Sequence, residues 1–205
     1  LTLANASDIG FNRSDTITIN HAITGAANSE VVQLGTGTLV LGGNADNASV
    51  NLRIENGGTV VLNKNSNLNV RAMNGTAFVN NGTLRIAGTG EDQIANGSVL
   101  MMRNTGTVDL NGRYEILGRV EGTAGTITNS AAGTTAELRV GSGGANSAFT
   151  GTFIPRVIGA TGTGGFGGVI ENGAGTTKVS KDGAGLVALW GDNTYSGGTE
   201  ILQGT

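Results

Sequence analysis

One phrase recurs along the chain: Gly37-Thr38-Leu39-Val40-Leu41, Gly58-Thr59-Val60-Val61-Leu62, Gly82-Thr83-Leu84-Arg85-Ile86, Gly106-Thr107-Val108-Asp109-Leu110 and Gly125-Thr126-Ile127-Thr128-Asn129. Successive glycines lie 21, 24, 24 and 19 residues apart. Repeats of this length stack as solenoids, because a single unit cannot bury its own apolar face. Within the phrases the residues two apart are apolar, as in Leu39 and Leu41 or Leu84 and Ile86. That alternation marks a strand with one buried face and sends Arg85 and Asp109 outward. Between the phrases, Ile17 with Ile19, Val50 with Leu52 and Ile54, Leu68 with Val70, Val99 with Met101, and Tyr114 with Ile116 mark further short strands bounded by Asn or Gly. No stretch keeps a 3.6-residue apolar spacing unbroken, so essentially no helix is expected. Two or three strands per repeat, joined by Asn- and Gly-rich turns, describe one coil of an all-β, single-stranded parallel β-helix. About nine coils fit the chain, giving a rod on the order of 45 Å long. An antiparallel sandwich or barrel also uses short strands and Gly turns, but has no reason to repeat one phrase in one frame.

The composition narrows the function. The chain has 205 residues with 37 Gly, 26 Thr, 22 Asn, 1 Pro and no Cys. Gly without a three-residue period excludes collagen, and 45 Val, Ile and Leu can line a core that a disordered chain lacks. A net charge of −3 with 12 Lys plus Arg leaves no electrostatic footprint for nucleic acid. No apolar run is long enough for a transmembrane segment, and no signal peptide opens the sequence. Without Cys there are no disulfides or thiolate metal sites.

The texture changes near Ala148. Phe149–Ile154 reads as a strand broken by Pro155, followed by a Gly-rich stretch from Gly159 to Gly168, so 148–175 is expected to be an insertion after the coils of 1–147. Residues 176–205 continue the helix. They contain Lys181-Asp182-Gly183-Ala184-Gly185-Leu186-Val187-Ala188-Leu189-Trp190, then Asn193-Thr194-Tyr195-Ser196-Gly197-Gly198-Thr199. Lys181, Gly183, Gly185, alternating Val187 and Leu189, and the run Asn193, Tyr195, Gly197, Gly198, Thr199 closely resemble the autotransporter-associated β-strand repeat of bacterial type V secreted passenger domains. The resemblance covers about 30 residues, and it implies a right-handed β-helix exported across the outer membrane to the cell surface by a translocator barrel. That repeat normally continues with another strand, so a chain stopping at Gly204-Thr205 reads as part of a longer passenger. Trp190 departs from the repeat, which usually has a small polar residue there.

Chemical motifs are sparse. Glycosidases need two carboxyl groups about 5–9.5 Å apart. Asp182 and Asp192 are the nearest candidates in the motif, and the adjacent Glu91 and Asp92 would face opposite ways in a strand. Asn193-Thr194-Tyr195 stands where a polygalacturonase-like site wants Asn-Thr-Asp. His21, the sole histidine, has only Asp15 nearby, so no His-based acid–base scheme is supported. Gly141–Asn146 lacks the aspartates of a calcium β-roll, and Gly162–Gly167 lacks the lysine and helix of a phosphate loop. No cofactor is implied. Arg53, Arg85, Arg103 and Arg139 are placed outward, with Glu55 and Glu137 as pairing partners. Six Asn-x-Ser/Thr sequons, at Asn5, Asn12, Asn47, Asn74, Asn81 and Asn96, follow from composition in a bacterial chain. Asn129 is expected inward, hydrogen-bonding between coils.

Trp190 alternates out of phase with Val187 and Leu189, so its indole is expected outward, suited to stacking on a sugar or anchoring a neighbouring chain. The competing expectation is that the loop between Pro155 and Gly168 covers it. The reading is a non-enzymatic surface β-helix acting as stalk or adhesin toward a host-surface or glycan ligand. The alternatives are a filament subunit self-associating through the β-helix ends and a carbohydrate-active enzyme.

Overall fold

The structure is a computed structural model and describes residues 1–4, 6–65, 70–89, 92–141, 165–183 and 186–204. The first turns contain β1 (Thr2–Leu3), β2 (Asp8–Phe11), β3 (Thr16–Ile19), β4 (Thr24–Gln33), β5 (Thr38–Gly43), β6 (Ala48–Ile54) and β7 (Thr59–Lys64). Then come β8 (Ala77–Val79), β9 (Thr83–Ile86), β10 (Val99–Met102), β11 (Thr107–Asp109), β12 (Tyr114–Leu117) and β13 (Arg119–Gly122). The last turns hold β14 (Thr126–Thr128), β15 (Thr135–Val140), β16 (Val169–Ile170), β17 (Thr176–Lys181) and β18 (Thr199–Ile201). No helix occurs among the described residues.

All strand pairings among them are parallel, and they form three sheets of seven, seven and four strands. This is a parallel β-solenoid of about eight turns. The recurring phrase forms the second sheet, β3-β5-β7-β9-β11-β14-β16. Its register stacks Ile17, Leu39, Val60, Leu84, Val108, Ile127 and Ile170 into one inward column. Across the core, Val31, Leu52, Ala77, Leu100 and Val120 stack on the first sheet. Leu84, Val60, Ile127, Ala77 and Leu100 are fully buried. The glycine before each phrase has a steric reason: a Cβ on Gly58, Gly82 or Gly106 would run into a backbone carbonyl of the preceding turn. The third sheet, β12-β15-β17-β18, begins late. Before β12, the described residues carry the single bridges Asn65–Thr89 and Met73–Ile94 outside named strands.

The phase of two strands changes. Val99 with Met101 and Tyr114 with Ile116 do mark strands, but Leu100, Met102, Glu115 and Leu117 are the buried residues there. Both strands carry side chains with apolar surface on both faces, so alternation alone does not say which face turns inward. The turns number about eight, in keeping with the roughly nine expected, and Ile127 pairs directly with Ile170. Residues 142–164, with Phe149–Ile154 and Pro155, lie outside the described residues, as does Leu68. From Gly165 the chain is part of the stack: buried Phe166 bridges Gly122 on one side and Leu189 on the other.

Leu84 sits in the middle of the inward column, so Leu84→Ala is expected to cost about 2–5 kcal/mol in urea unfolding. Thr83→Ala, on the outward face of the same strand, should stay within about 0.5 kcal/mol.

Candidate functional site

The segment that resembles a known repeat is built on inter-turn ties. Val179 and Lys181 are inward residues of β17, and Lys181 is 5% exposed. A buried ammonium needs its three donors satisfied. Lys181 Nζ donates to the carbonyls of Asp182 (2.7 Å), Gly183 (2.7 Å) and, in the next turn, Gln203 (3.1 Å). Burial pushes its pKa down, opposed by the nearby Asp182 carboxylate. Gly183 has φ +77°, and a Cβ there would strike the Gly141 carbonyl. Gly185 lies outside the described residues. Asn193 accepts at Oδ1 from Ile170 N in the preceding turn (2.8 Å) and donates from Nδ2 to Gly191 O (2.9 Å). Tyr195 packs on the core while its hydroxyl pairs with Thr199 Oγ1 at 2.6 Å. Gly197 N donates to Thr177 O (3.0 Å), and Gly198 takes φ +85°. The described motif residues therefore hold one rung against another.

Trp190 is 48% exposed, as its alternation implies. Its inner face lies on the backbone of Gly165 and Gly167, where an added Cβ would be driven into the indole. Part of the Gly-rich stretch thus supports the ring without hiding it. Gly162–Gly164 and most of Gly141–Asn146 lie outside the described residues.

Among the described residues the candidate carboxylates form no cluster of three or more. Asp182 Oδ1 accepts from Gly183 N (2.7 Å), closing a local turn. Asp192 and His21 are exposed, and Asp15 is bound to Arg13 at 2.6 Å. Glu91 is outside the described residues. Asp92 is buried and bridged to Arg71 at 2.9 Å. Beside it stands Glu115, 1% exposed, which the sequence reading missed because its outward neighbours Tyr114 and Ile116 carried the apolar signal. Glu115 accepts from the backbone N–H of Gln93 (2.9 Å) and Ile94 (3.0 Å). Burial first, then repulsion from Asp92, holds its pKa well above the usual carboxyl range. Among the described residues no group of three or more His, Asp or Glu could hold a metal ion.

The arginines are engaged locally. Arg53 pairs with Glu30 of the preceding turn (2.7 Å), while Glu55 accepts from Asn80 instead (2.6 Å). Arg85 reaches Asp109 (3.5 Å) and Asn111 (2.7 Å). Asp109, expected outward, is covered by Ser130, whose N and Oγ donate to it. Arg103 lies over the Phe78 ring, and Arg139 pairs with Glu137 and lies over Tyr114. Asn129 is buried as expected and joins three turns: it accepts from Gly112 N (2.7 Å) and donates to Thr134 O (3.3 Å) and Thr176 O (2.9 Å). Asn47 is buried too, bound to Ile23 N and Ala72 O, so that sequon is not an accessible acceptor.

Lys181→Met keeps the length but strands three carbonyls. It should cost about 1–3 kcal/mol and remove hydrogen-exchange protection from the Thr199–Ile201 rung ahead of the rest. Gly167→Ala should lift the indole, read as a shift in the emission of the single tryptophan.

Among the described residues no helix is long and apolar enough to cross a membrane. No curated protein and no solved structure matches the chain. Residues 179–205 match the family model described as passenger-associated-transport-repeat, an autotransporter passenger repeat, and this segment together with the β-solenoid fits an autotransporter passenger-like β-helix.

Proposed function

We propose that this chain is a non-enzymatic segment of a passenger exported across the bacterial outer membrane, where it acts as a stalk with adhesive contact points. The observation that carries the reading is the continuity of the matched repeat with the solenoid. β17 pairs with β15 behind it and β18 ahead, so the repeat is one more length of the same stack. The chemistry of the described interior supports a structural role. Its buried polar groups are largely spent on backbone ties between turns, as in Lys181 and Asn129.

Trp190 is the contact residue we propose. An indole held flat on two glycines loses little rotamer freedom on binding and offers one broad face to a sugar ring or to an apolar surface. Its partner on this reading is a host-surface or glycan ligand.

Fused to an outer-membrane translocator in a Gram-negative host, the chain should be displayed on the cell surface, where added protease reaches it in intact cells. Retention inside the cell would overturn the passenger reading. With the purified chain, addition of soluble neutral and acidic polysaccharides should quench the tryptophan emission, and Trp190→Ala should weaken retention on the bound polymer about tenfold or more. Electron microscopy across concentrations should give discrete rods, whereas filaments would favour end-to-end assembly instead.

A further inference from the structure

The chain contains six Asn-Gly dipeptides, beginning at Asn56, Asn74, Asn81, Asn96, Asn111 and Asn172. This pair is chemically labile, because glycine has no side chain to screen its backbone nitrogen from the carboxamide before it. All six share the same following residue, so the dipeptide alone ranks them alike. The fold separates them. Ring closure needs a carboxamide free to turn back, a following N–H free of a hydrogen bond, and a backbone outside the ladders.

Asn56 and Asn111 fail on the first two counts. Asn56 donates from Nδ2 to Leu34 O (3.0 Å) while Gly57 N donates to Asn81 O (2.5 Å). Asn111 donates from Nδ2 to Ile86 O (3.0 Å) while Gly112 N donates to Asn129 Oδ1 (2.7 Å). Asn172 is held at both ends of its carboxamide, accepting from Thr177 N (2.9 Å) and donating to Ser196 Oγ (2.8 Å). Asn81 accepts from Thr105 Oγ1 (3.3 Å), and the glycine after it is buried, its carbonyl taking Thr107 N (2.8 Å). Asn96 accepts from Arg71 Nη2 (3.3 Å) in a turn closed by Ser98 N to Ala95 O (2.8 Å).

Asn74 differs from all of these. It is exposed, at a corner between the Met73–Ile94 bridge and β8. Among the described residues no hydrogen bond engages its carboxamide or the N–H of Gly75. The corner also demands its glycine, since a Cβ at 75 would come within 2.5 Å of Asn51 Oδ1 and 2.8 Å of Val50 O. On either side the chain is anchored. Met73 bridges Ile94, and Thr76 donates its N–H to Asn51 Oδ1 (2.8 Å) while its carbonyl takes Leu52 N (2.9 Å).

We infer that Asn74-Gly75 is a site of spontaneous deamidation in the folded chain. Gly75 N loses its proton to hydroxide and bonds to Asn74 Cγ. The Cγ–Nδ2 bond breaks, and Nδ2 leaves as ammonia with a proton from water. Water then opens the resulting succinimide: cleavage at Cγ gives aspartate, and cleavage at the backbone carbonyl carbon gives isoaspartate. Either product adds one negative charge to a chain whose net charge is −3. The extra backbone atom of isoaspartate falls between two anchored residues and outside every strand, so the register of β8 is kept.

The test is peptide mapping by mass spectrometry of the 205-residue chain after incubation at mildly alkaline pH, both folded and in denaturing urea. In the folded chain Asn74 should convert about tenfold or more faster than Asn56, Asn111 and Asn172, because a hydrogen bond that must break before attack slows it by about that factor. In urea the six rates should converge. Asn74→Gln, which would have to close a larger ring, should remove the early acidic species from an ion-exchange profile. Equal rates at Asn74 and those three sites in the folded chain would overturn the inference, and so would the same ranking persisting in urea.

Discussion

Everything in this molecule depends on the in-register parallel hydrogen bonding of each turn to the next. A parallel ladder places identical positions over one another at about 4.8 Å. Once the register is set, a sequence that repeats Leu, Val or Ile at one position builds a continuous apolar column without any further instruction. Thr16, Thr38, Thr59, Thr83, Thr107 and Thr126 stack on the outer face for the same reason that Ile17 through Ile170 stack within. A single turn could not bury its leucines from above and below, so the stability belongs to the stack.

The corners are where this economy fails, because the chain leaves one sheet there and its peptide groups lose their ladder partners. Buried backbone groups without partners are costly. The molecule answers with side chains that carry both donors and acceptors, or three donors at once. Asn47, Asn129 and Asn193 reach into adjoining turns, Gln93 closes on both backbone groups of Lys64, and Lys181 gathers carbonyls from two turns. The exposed corners use the same chemistry less stringently, as in Asn104 to Asn80 and Thr105 to Asn81.

The repeat was legible because its period and its alternation both survive in the letters. The second sheet, the absence of helix among the described residues, the inward Asn129, the outward Trp190 and the motif from Lys181 to Thr199 all follow from residues at fixed spacing. What was not legible is the phase of strands whose two faces both carry apolar surface. Val99-Leu100-Met101-Met102 reads equally well either way, and in Tyr114-Glu115-Ile116-Leu117 the apolar pair at Tyr114 and Ile116 drew attention from a carboxyl that faces inward. Glu115 is tolerated inside only because Gln93 and Ile94 present N–H groups there, a circumstance created by a turn 22 residues earlier that no local pattern records. The Gly165 and Gly167 support beneath Trp190 is likewise a contact between turns, invisible in either stretch alone.

The direct pairing of Ile127 with Ile170 has one more meaning. The rungs before and after residues 142–164 keep one register, whereas a single residue added inside a strand would reverse every inward side chain that follows it. The tolerance of such a chain to change is therefore sharply uneven along its length. Strands can be gained or lost only as complete windings, while corners can vary freely, so new surface chemistry can be grafted there on a scaffold whose axis stays the same.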